Sequence, residues 1–155
     1  MIDLIMWLLK SKPISVQAFG TKKGNIGSIY KKDSLIVYMF NFPNNIIAKI
    51  SANAVAISKH FHEIKIFQTD KTLINSIFGA YSLVKKKNKT KIEKINAKYP
   101  DKKSRKKLIH NFIDVLKNKK KKQLVTINEQ FDLMTACLAA DKSLKSKKKT
   151  TIKYL

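Results

Sequence analysis

The sequence is short of the residues that many functional classes require. It has one cysteine, four glycines and three prolines in 155 residues. The single Cys137 excludes a disulfide framework within the chain and fits a reducing compartment, for which the cytoplasm is the simplest choice. The sequence also lacks a glycine-rich phosphate loop, a nucleophile elbow and a paired-cysteine zinc pattern. It therefore carries no catalytic motif that is sufficient by itself.

Acidic residues and arginine are also scarce. Aspartate plus glutamate number 10 against 33 lysine plus arginine, the net charge is +23, and Arg105 is the only arginine. Such a charge first suggests a polyanionic partner. Proteins that read phosphates and bases, however, favour the guanidinium of arginine. Lysine, isoleucine and asparagine share A/T-rich codons, so mutational drift would raise the charge without selection for binding. We therefore rank nucleic acid binding below drift.

Long hydrophobic runs are missing as well. Residues 1–9 are apolar except for Asp3, but Lys10 and Pro13 end the run far short of the roughly 20 residues that span a membrane. The run has no basic leader and no cleavage site, which excludes a secretory signal, and we expect no membrane partner. A helix this apolar must be buried on all sides. It indicates either that a preceding part of the chain is missing or that the helix packs on a sheet.

What the sequence does contain predicts one α+β domain over residues 1–155. Hydrophobic residues make up 44%, which is enough for a core. Most runs in the first half are rich in β-branched or aromatic residues and predict strands, and Asn44 and Asn45 indicate a hairpin turn. The predicted strands are 14–21, 34–42, 46–54, 63–69, 72–77, 80–85 and 150–154. Short turns between them make the sheet open and mainly antiparallel.

Two amphipathic helices follow the strands and should pack on one face of that sheet. Helical spacing of apolar residues predicts the first over residues 102–117. A capping box at Thr126 and Glu129 predicts the second over residues 126–145. The lysine-rich segment 85–107 reads as a solvated excursion and as the part of the chain most prone to flexibility.

Four segments resemble the C-terminal domain of the Gfo/Idh/MocA oxidoreductases, and they occur in the order of that family. They are DLIMWLL at 3–9, PISVQAFG at 13–20, HFHEIKIFQTDKT at 60–72 and FDLMTACLAADKSL at 131–144. The similarity is closest to members that act on sugars or nucleotide sugars. The resemblance implies a Rossmann domain before this one, an open antiparallel sheet that forms the oligomer interface, and NAD or NADP as cofactor.

The departures from the family pattern are equally informative. The family's cofactor fingerprint and catalytic lysine belong to the Rossmann domain, and its catalytic histidine would stand one position before Met1. Glycines of the family are replaced at several positions, where lysine or another residue costs stability if φ is positive. These positions are Lys10, Asn45, Gln68, Lys71, Lys119 and Ser146. We therefore expect a truncated, drifted or split gene product that does not catalyse hydride transfer alone and does not bind NAD or NADP alone.

The function predicted on this basis is the C-terminal half of an NAD(P)-dependent oxidoreductase that acts on a sugar or nucleotide sugar. The candidate substrate-binding residues are His60, His62, Asn53, Tyr81 and Arg105. Asn53 and the histidines flank a strand end, Tyr81 opens another strand, and Arg105 offers the one guanidinium for a phosphate or carboxylate. No catalytic, cofactor or metal residue is predicted, because the two histidines have no visible third ligand.

Three partners follow from this prediction. They are a second copy of the chain through the sheet face that the helices leave uncovered, a small sugar substrate, and a separate Rossmann-domain chain if the enzyme is split. A different class of function stays open at this point. The chain could be a basic, non-enzymatic module that binds nucleic acid or an anionic surface, and a steep salt dependence of its affinity would identify it.

Overall fold

The computed structural model describes residues 1–25, 31–57, 60–87, 89–96, 102–118 and 121–155, which form two compact units. The first unit comprises Met1–Ile57 and Val125–Leu155, and the second comprises Ser58–Leu124. The first contains α1 (Ile2–Leu9), β1 (Ser15–Thr21), β2 (Leu35–Asn41), β3 (Ile47–Asn53), α3 (Ile127–Ser146) and β8 (Thr150–Thr151). The second contains β4 (Ile64–Phe67), β5 (Lys71–Ser76), β6 (Gly79–Lys86), β7 (Lys89–Ile95) and α2 (Lys102–Lys117).

An antiparallel sheet in the order β3-β2-β1-β8 forms the centre of the first unit. Its register places Val16 opposite Phe40, and both residues are buried together with Ala136 and Ala140 of α3. Because successive strand residues point to opposite faces, one face of this sheet bears the core and α3 packs on it. The opposite face carries apolar residues without a helix of this unit over them. They are Phe19, Leu35, Val37, Met39 and Ile47.

The turn between β2 and β3 is the hairpin that the sequence predicts. Asn44 and Asn45 have φ values of 59° and 58°, in the left-handed region that asparagine tolerates better than most residues. The amide of Phe42 donates to the carbonyl of Ile46 at 2.8 Å and closes the loop. The turn residues therefore specify the pairing of these two strands.

Helix α1 packs against the core of the first unit through Ile2, Ile5, Met6 and Leu9. Its other side is open, since Trp7 is 71% exposed. The helix is therefore present as predicted, but the expectation that it is buried on all sides is wrong. No helix in the described part of the chain is long and apolar enough to cross a membrane.

The second unit contains a meander in the order β4-β5-β6-β7, with every neighbouring pair antiparallel. Strand β7 lies inside the lysine-rich segment 85–107, which the sequence treats as an excursion, and α2 begins inside it as well. The lysines of β7 are interspersed with Thr90, Ile92 and Ile95. Pairing with β6 places Ile92 opposite Leu83 and Ile95 opposite Ala80, and the local sequence does not reveal these cross-strand partners. Tyr99 and Pro100 of that segment lie outside the described residues.

The predicted α+β fold class is confirmed. Two details differ from the sequence prediction. The strands form two antiparallel sheets instead of one, and α2 belongs to the second unit, whereas α3 packs on the sheet of the first. Strand and helix boundaries follow local patterns, but the partition of strands between sheets depends on pairing at long range, which those patterns do not encode.

Candidate functional site

A cleft on the second sheet contains one of the predicted substrate residues, Tyr81. The cleft has a volume of about 320 Å³. The register aligns Lys65, Ile74 and Tyr81 on three adjacent strands, so their side chains share one face of the sheet. The lining residues are Phe61, Glu63, Lys65, Ile74, Ser76, Ile77, Phe78 and Tyr81. The cleft therefore combines aromatic rings with one carboxylate and one ammonium group.

The charged groups of the cleft form an ion pair. The ammonium group of Lys65 lies 2.9 Å from the carboxylate of Glu63, and about half of each side chain is exposed. The hydrogen bond to Glu63, followed by its charge, raises the pKa of Lys65. The ion pair thus favours the charged ammonium form of Lys65, which can form charge-assisted hydrogen bonds with a polar ligand.

A tight turn places the aromatic rim of the cleft. The Ser76 hydroxyl accepts from the amide of Phe78 and donates to the carbonyl of Gly79, each at 3.3 Å. Gly79 has a φ of 121°, which a residue with a side chain rarely adopts. Phe78, 92% exposed, is displayed at the rim by this turn. A large apolar side chain in that position is typical of a binding surface.

The two predicted histidines lie together just before β4. The His60 and His62 rings are 4.9 Å apart in an edge-to-face arrangement. Burial, followed by the neighbouring His60, lowers the pKa of His62. The described residues contain no group of three side chains able to hold a metal ion. The lowered pKa favours the neutral form of the His62 imidazole, in which one ring nitrogen donates and the other accepts a hydrogen bond.

The structure does not bring the other four predicted residues, among them His60 and His62, into the cleft lining. Asn53 ends β3 in the first unit, where its side-chain oxygen accepts from the amide of Val55 at 3.0 Å. Arg105 is exposed on α2. His60, His62, Tyr81 and Arg105 belong to the second unit and Asn53 to the first. The assignment of these five residues to a substrate stays a prediction.

Sequence reasoning missed Glu63, Lys65 and Phe78. Glu63 and Lys65 are two residues apart, and in a strand this spacing places both side chains on the same face, which is a signal for an ion pair. The position of Phe78 depends on the geometry of a turn, which the sequence does not show. Burial raises the pKa of the Cys137 thiol, which disfavours the reactive thiolate.

The cleft lining combines polar groups with an apolar wall. Its polar groups are an ion pair, one phenol and one hydroxyl, and its apolar wall consists of rings and isoleucines. Such a lining can form hydrogen bonds to a ligand and pack against its apolar surface.

No protein-family model and no curated protein sequence matches the chain. Solved structures do match. UDP-N-acetylglucosamine 3-dehydrogenase GnnA from Acidithiobacillus ferrooxidans has 14% identity and a TM-score of 0.73, over 94% of this chain and 45% of that one. The oxidoreductase yvaA from Bacillus subtilis has 12% identity and a TM-score of 0.78, over 98% and 50%.

A third similar structure is levoglucosan dehydrogenase in complex with NADH, with 10% identity and a TM-score of 0.74. The alignment covers 99% of this chain and 48% of that enzyme. The chain thus spans about half the length of the structures it matches. The resemblance drawn from the sequence is confirmed at the level of the fold. The chain has the fold of the C-terminal domain of the Gfo/Idh/MocA-type oxidoreductases.

Proposed function

We propose that the chain is the substrate-side half of an NAD(P)-dependent oxidoreductase that acts on a sugar or a nucleotide sugar. The observation that carries this proposal is the alignment of nearly the whole chain with about half of a sugar dehydrogenase and of a nucleotide-sugar dehydrogenase. The other half, a Rossmann domain on a preceding part or on a separate chain, would supply the cofactor site and the catalytic groups.

The residues that the structure describes do not fit the cofactor. Pyrophosphate binding requires a glycine-rich turn that leads from a strand into a helix. The glycine turn of the second unit, at Gly79, connects β5 to β6 instead. NAD or NADP would supply hydride chemistry to the complete enzyme. This chain binds and orients the sugar, and it does not catalyse the transfer alone.

The cleft around Tyr81 is the substrate subsite in this proposal. Phe78 and Tyr81 would contact the sugar ring, while Glu63 and Lys65 would bond to its hydroxyls. His60 and His62, which precede β4, and Arg105 on α2 are retained as proposed contacts to more distant parts of the substrate. Arg105 suits a phosphate of a nucleotide sugar because its guanidinium can donate two parallel hydrogen bonds.

Saturation-transfer NMR on the full chain tests this subsite. The probes are UDP-N-acetylglucosamine and levoglucosan, because structural neighbours are dehydrogenases of these names. Phe78→Ser should abolish transfer to the bound probe. Phe67→Ser is the matched control, since Phe67 is an exposed ring on the same sheet that does not line the cleft. Equal loss in both variants, or no transfer from the unchanged chain, would contradict the assignment.

We also propose that two copies associate through the exposed face of the first sheet. Support comes from the apolar residues on that face, among which Phe19 and Ile47 are more than half exposed. Contiguous exposed apolar surface of this kind marks an interface, and two-fold pairing of identical sheets covers it. The net charge of +23 opposes association, but salt screens it beyond about 8 Å at physiological ionic strength.

Sedimentation velocity at micromolar concentration and physiological salt tests the association. The unchanged chain should sediment as a dimer, and Phe19→Ser with Ile47→Ser should sediment as a folded monomer. Ile77→Ser, an exposed apolar residue of the second unit, is the control and should leave the dimer intact. A folded monomer from the unchanged chain contradicts the proposal.

The cytoplasm is the proposed compartment, supported by Cys137 as a free thiol.

A further inference from the structure

Helix α2 presents an apolar stripe to its surroundings. Five side chains, between 40% and 66% exposed, form it: Leu108, Ile109, Phe112, Ile113 and Leu116. Their spacing of one, three or four residues places them within an arc of about 140° on a helix with 3.6 residues per turn. A contiguous apolar surface of this width, left largely open in the described part of the chain, is typical of an interaction site.

The polar side of α2 is the side that bonds to the segment after the helix. The side-chain oxygen of Asn111 accepts from the amide of Leu124 at 2.9 Å, and its nitrogen donates to the carbonyl of Lys122 at 3.1 Å. Asp114 pairs with Lys121 at 2.7 Å. These bonds hold residues 121–124 against the polar side, opposite the stripe.

Cationic side chains accompany the stripe. Arg105, Lys106, Lys107 and Lys117 are all exposed, and Asp114 is the only acidic residue within the helix. Lys106 and Lys117 lie near one border of the stripe at helical spacing, and Arg105 lies at its N-terminal end. Long cationic side chains at the border of an apolar surface can extend their charges towards anionic groups while their methylenes remain on apolar surface.

We propose that α2 docks on the surface of an anionic lipid bilayer, with the stripe inserted at the level of the headgroups. An exposed apolar stripe, a cationic border and modest overall hydrophobicity characterise helices that lie in the membrane interface. A second copy of this chain fits less well, because it would bring two clusters of like charge together. The proposal goes beyond the sugar-binding function, does not depend on it, and is an alternative to the sequence expectation of no membrane partner.

Vesicle co-sedimentation of the full chain tests the proposal. Vesicles with about one third phosphatidylserine in phosphatidylcholine should bind the chain. Vesicles of phosphatidylcholine alone should bind it at least about tenfold more weakly, because each cationic side chain is attracted to an anionic lipid surface. Phe112→Ser with Leu116→Ser should lower partition about tenfold or more, because two apolar side chains no longer enter the interface. Both side chains are exposed, so the fold should survive.

The matched control is Phe67→Ser with Ile92→Ser on the sheet of the same unit. These side chains are 77% and 65% exposed, against 64% and 66% for Phe112 and Leu116. The control should keep full binding. Equal losses in the two double variants, binding that the stripe variant leaves unchanged, or no binding to anionic vesicles would each overturn the proposal. The last result would favour an acidic protein as the partner of α2.

Discussion

The hydroxyl of Ser143 on α3 accepts a hydrogen bond from the amide of Ala18 on β1 at 3.0 Å. It also donates to the carbonyl of Lys148 at 2.7 Å. Strand β8 pairs with β1 only at Ser15 and Val16, so the amide of Ala18 lies past the end of that pairing. The fully buried Ser143 therefore completes the hydrogen bonding of β1 where the edge strand stops.

Ser143→Ala should lower the free energy of unfolding by about 1–3 kcal/mol, because it leaves a buried amide and a carbonyl without partners. Ser146→Ala on the same helix is the control, since its bonds are longer than 3.2 Å and partly exposed. Chemical denaturation of both variants measures the difference. Equal effects would show that Ser143 has no special role at the sheet edge.

The N-terminus of α3 is closed by a full capping box. The Thr126 hydroxyl accepts from the amide of Glu129 at 3.2 Å, and the Glu129 carboxylate accepts from the amide of Thr126 at 2.7 Å. Thr126→Ala should cost about 1 kcal/mol. Thr135→Ala, in the interior of the same helix, should be neutral or stabilising because alanine has the higher helix propensity. Thermal unfolding of both variants distinguishes the cap from a general effect of threonine loss.

Lysines occupy two helix ends where the backbone is left-handed. Lys10 after α1 has a φ of 47°, and Lys147 after α3 has a φ of 57°. Replacing either lysine by glycine should raise the free energy of unfolding by about 1 kcal/mol, because a side chain in this region clashes with the backbone. The same change at Lys142, inside α3, should instead lower it by about 1 kcal/mol. A loss of stability at all three positions would contradict the proposed strain.

Alkaline pH should weaken the first unit through Tyr154. Its phenol donates to the carbonyl of Pro13 at 2.9 Å, and burial, followed by the charge of Asp132, raises its pKa to about 12. The pKa of Tyr154 in the folded chain lies above the unfolded value of 10.0. The stabilisation that the protonated phenol gives to the fold is therefore complete below pH 10 and declines as the pH rises towards 12. Folding therefore favours the protonated phenol.

Tyr154→Phe isolates this effect. The unchanged chain should be more stable than the variant at pH 8, and that advantage should shrink between pH 10 and 12 because only the unchanged chain has the phenol. Denaturation at each pH measures the two free energies of unfolding. An advantage that is constant up to pH 12 would contradict the raised pKa of Tyr154.

Local patterns in the sequence predict most of the elements. The bounds of α2 agree with its helical spacing, α3 begins after the predicted capping box, and two asparagines with positive φ form the β2–β3 turn. Two of the replaced family glycines, Lys10 and Asn45, occupy left-handed positions. Near Ser146 the left-handed residue is Lys147, one position later, and Lys119 lies outside the described residues. These features depend on a few adjacent residues and are therefore visible in the sequence.

Long-range pairing was not predictable in the same way. Strand β7 reads as solvated lysine-rich chain until Ile92 is placed opposite Leu83 of β6. The candidate cleft shows the same limit. Tyr81 was selected by its position in a strand, but Lys65 becomes its neighbour only through the register of three strands, and Phe78 only through the turn at Gly79.

The account rests on the claim that this chain is the substrate-side half and that the cofactor site belongs elsewhere. Calorimetric titration of the full chain with NADH at physiological salt tests this claim most directly. We predict no saturable heat up to millimolar NADH, because the described residues provide no glycine-rich turn from a strand into a helix for the pyrophosphate. A saturable isotherm with a sub-millimolar Kd would contradict the claim and place a cofactor site within this chain.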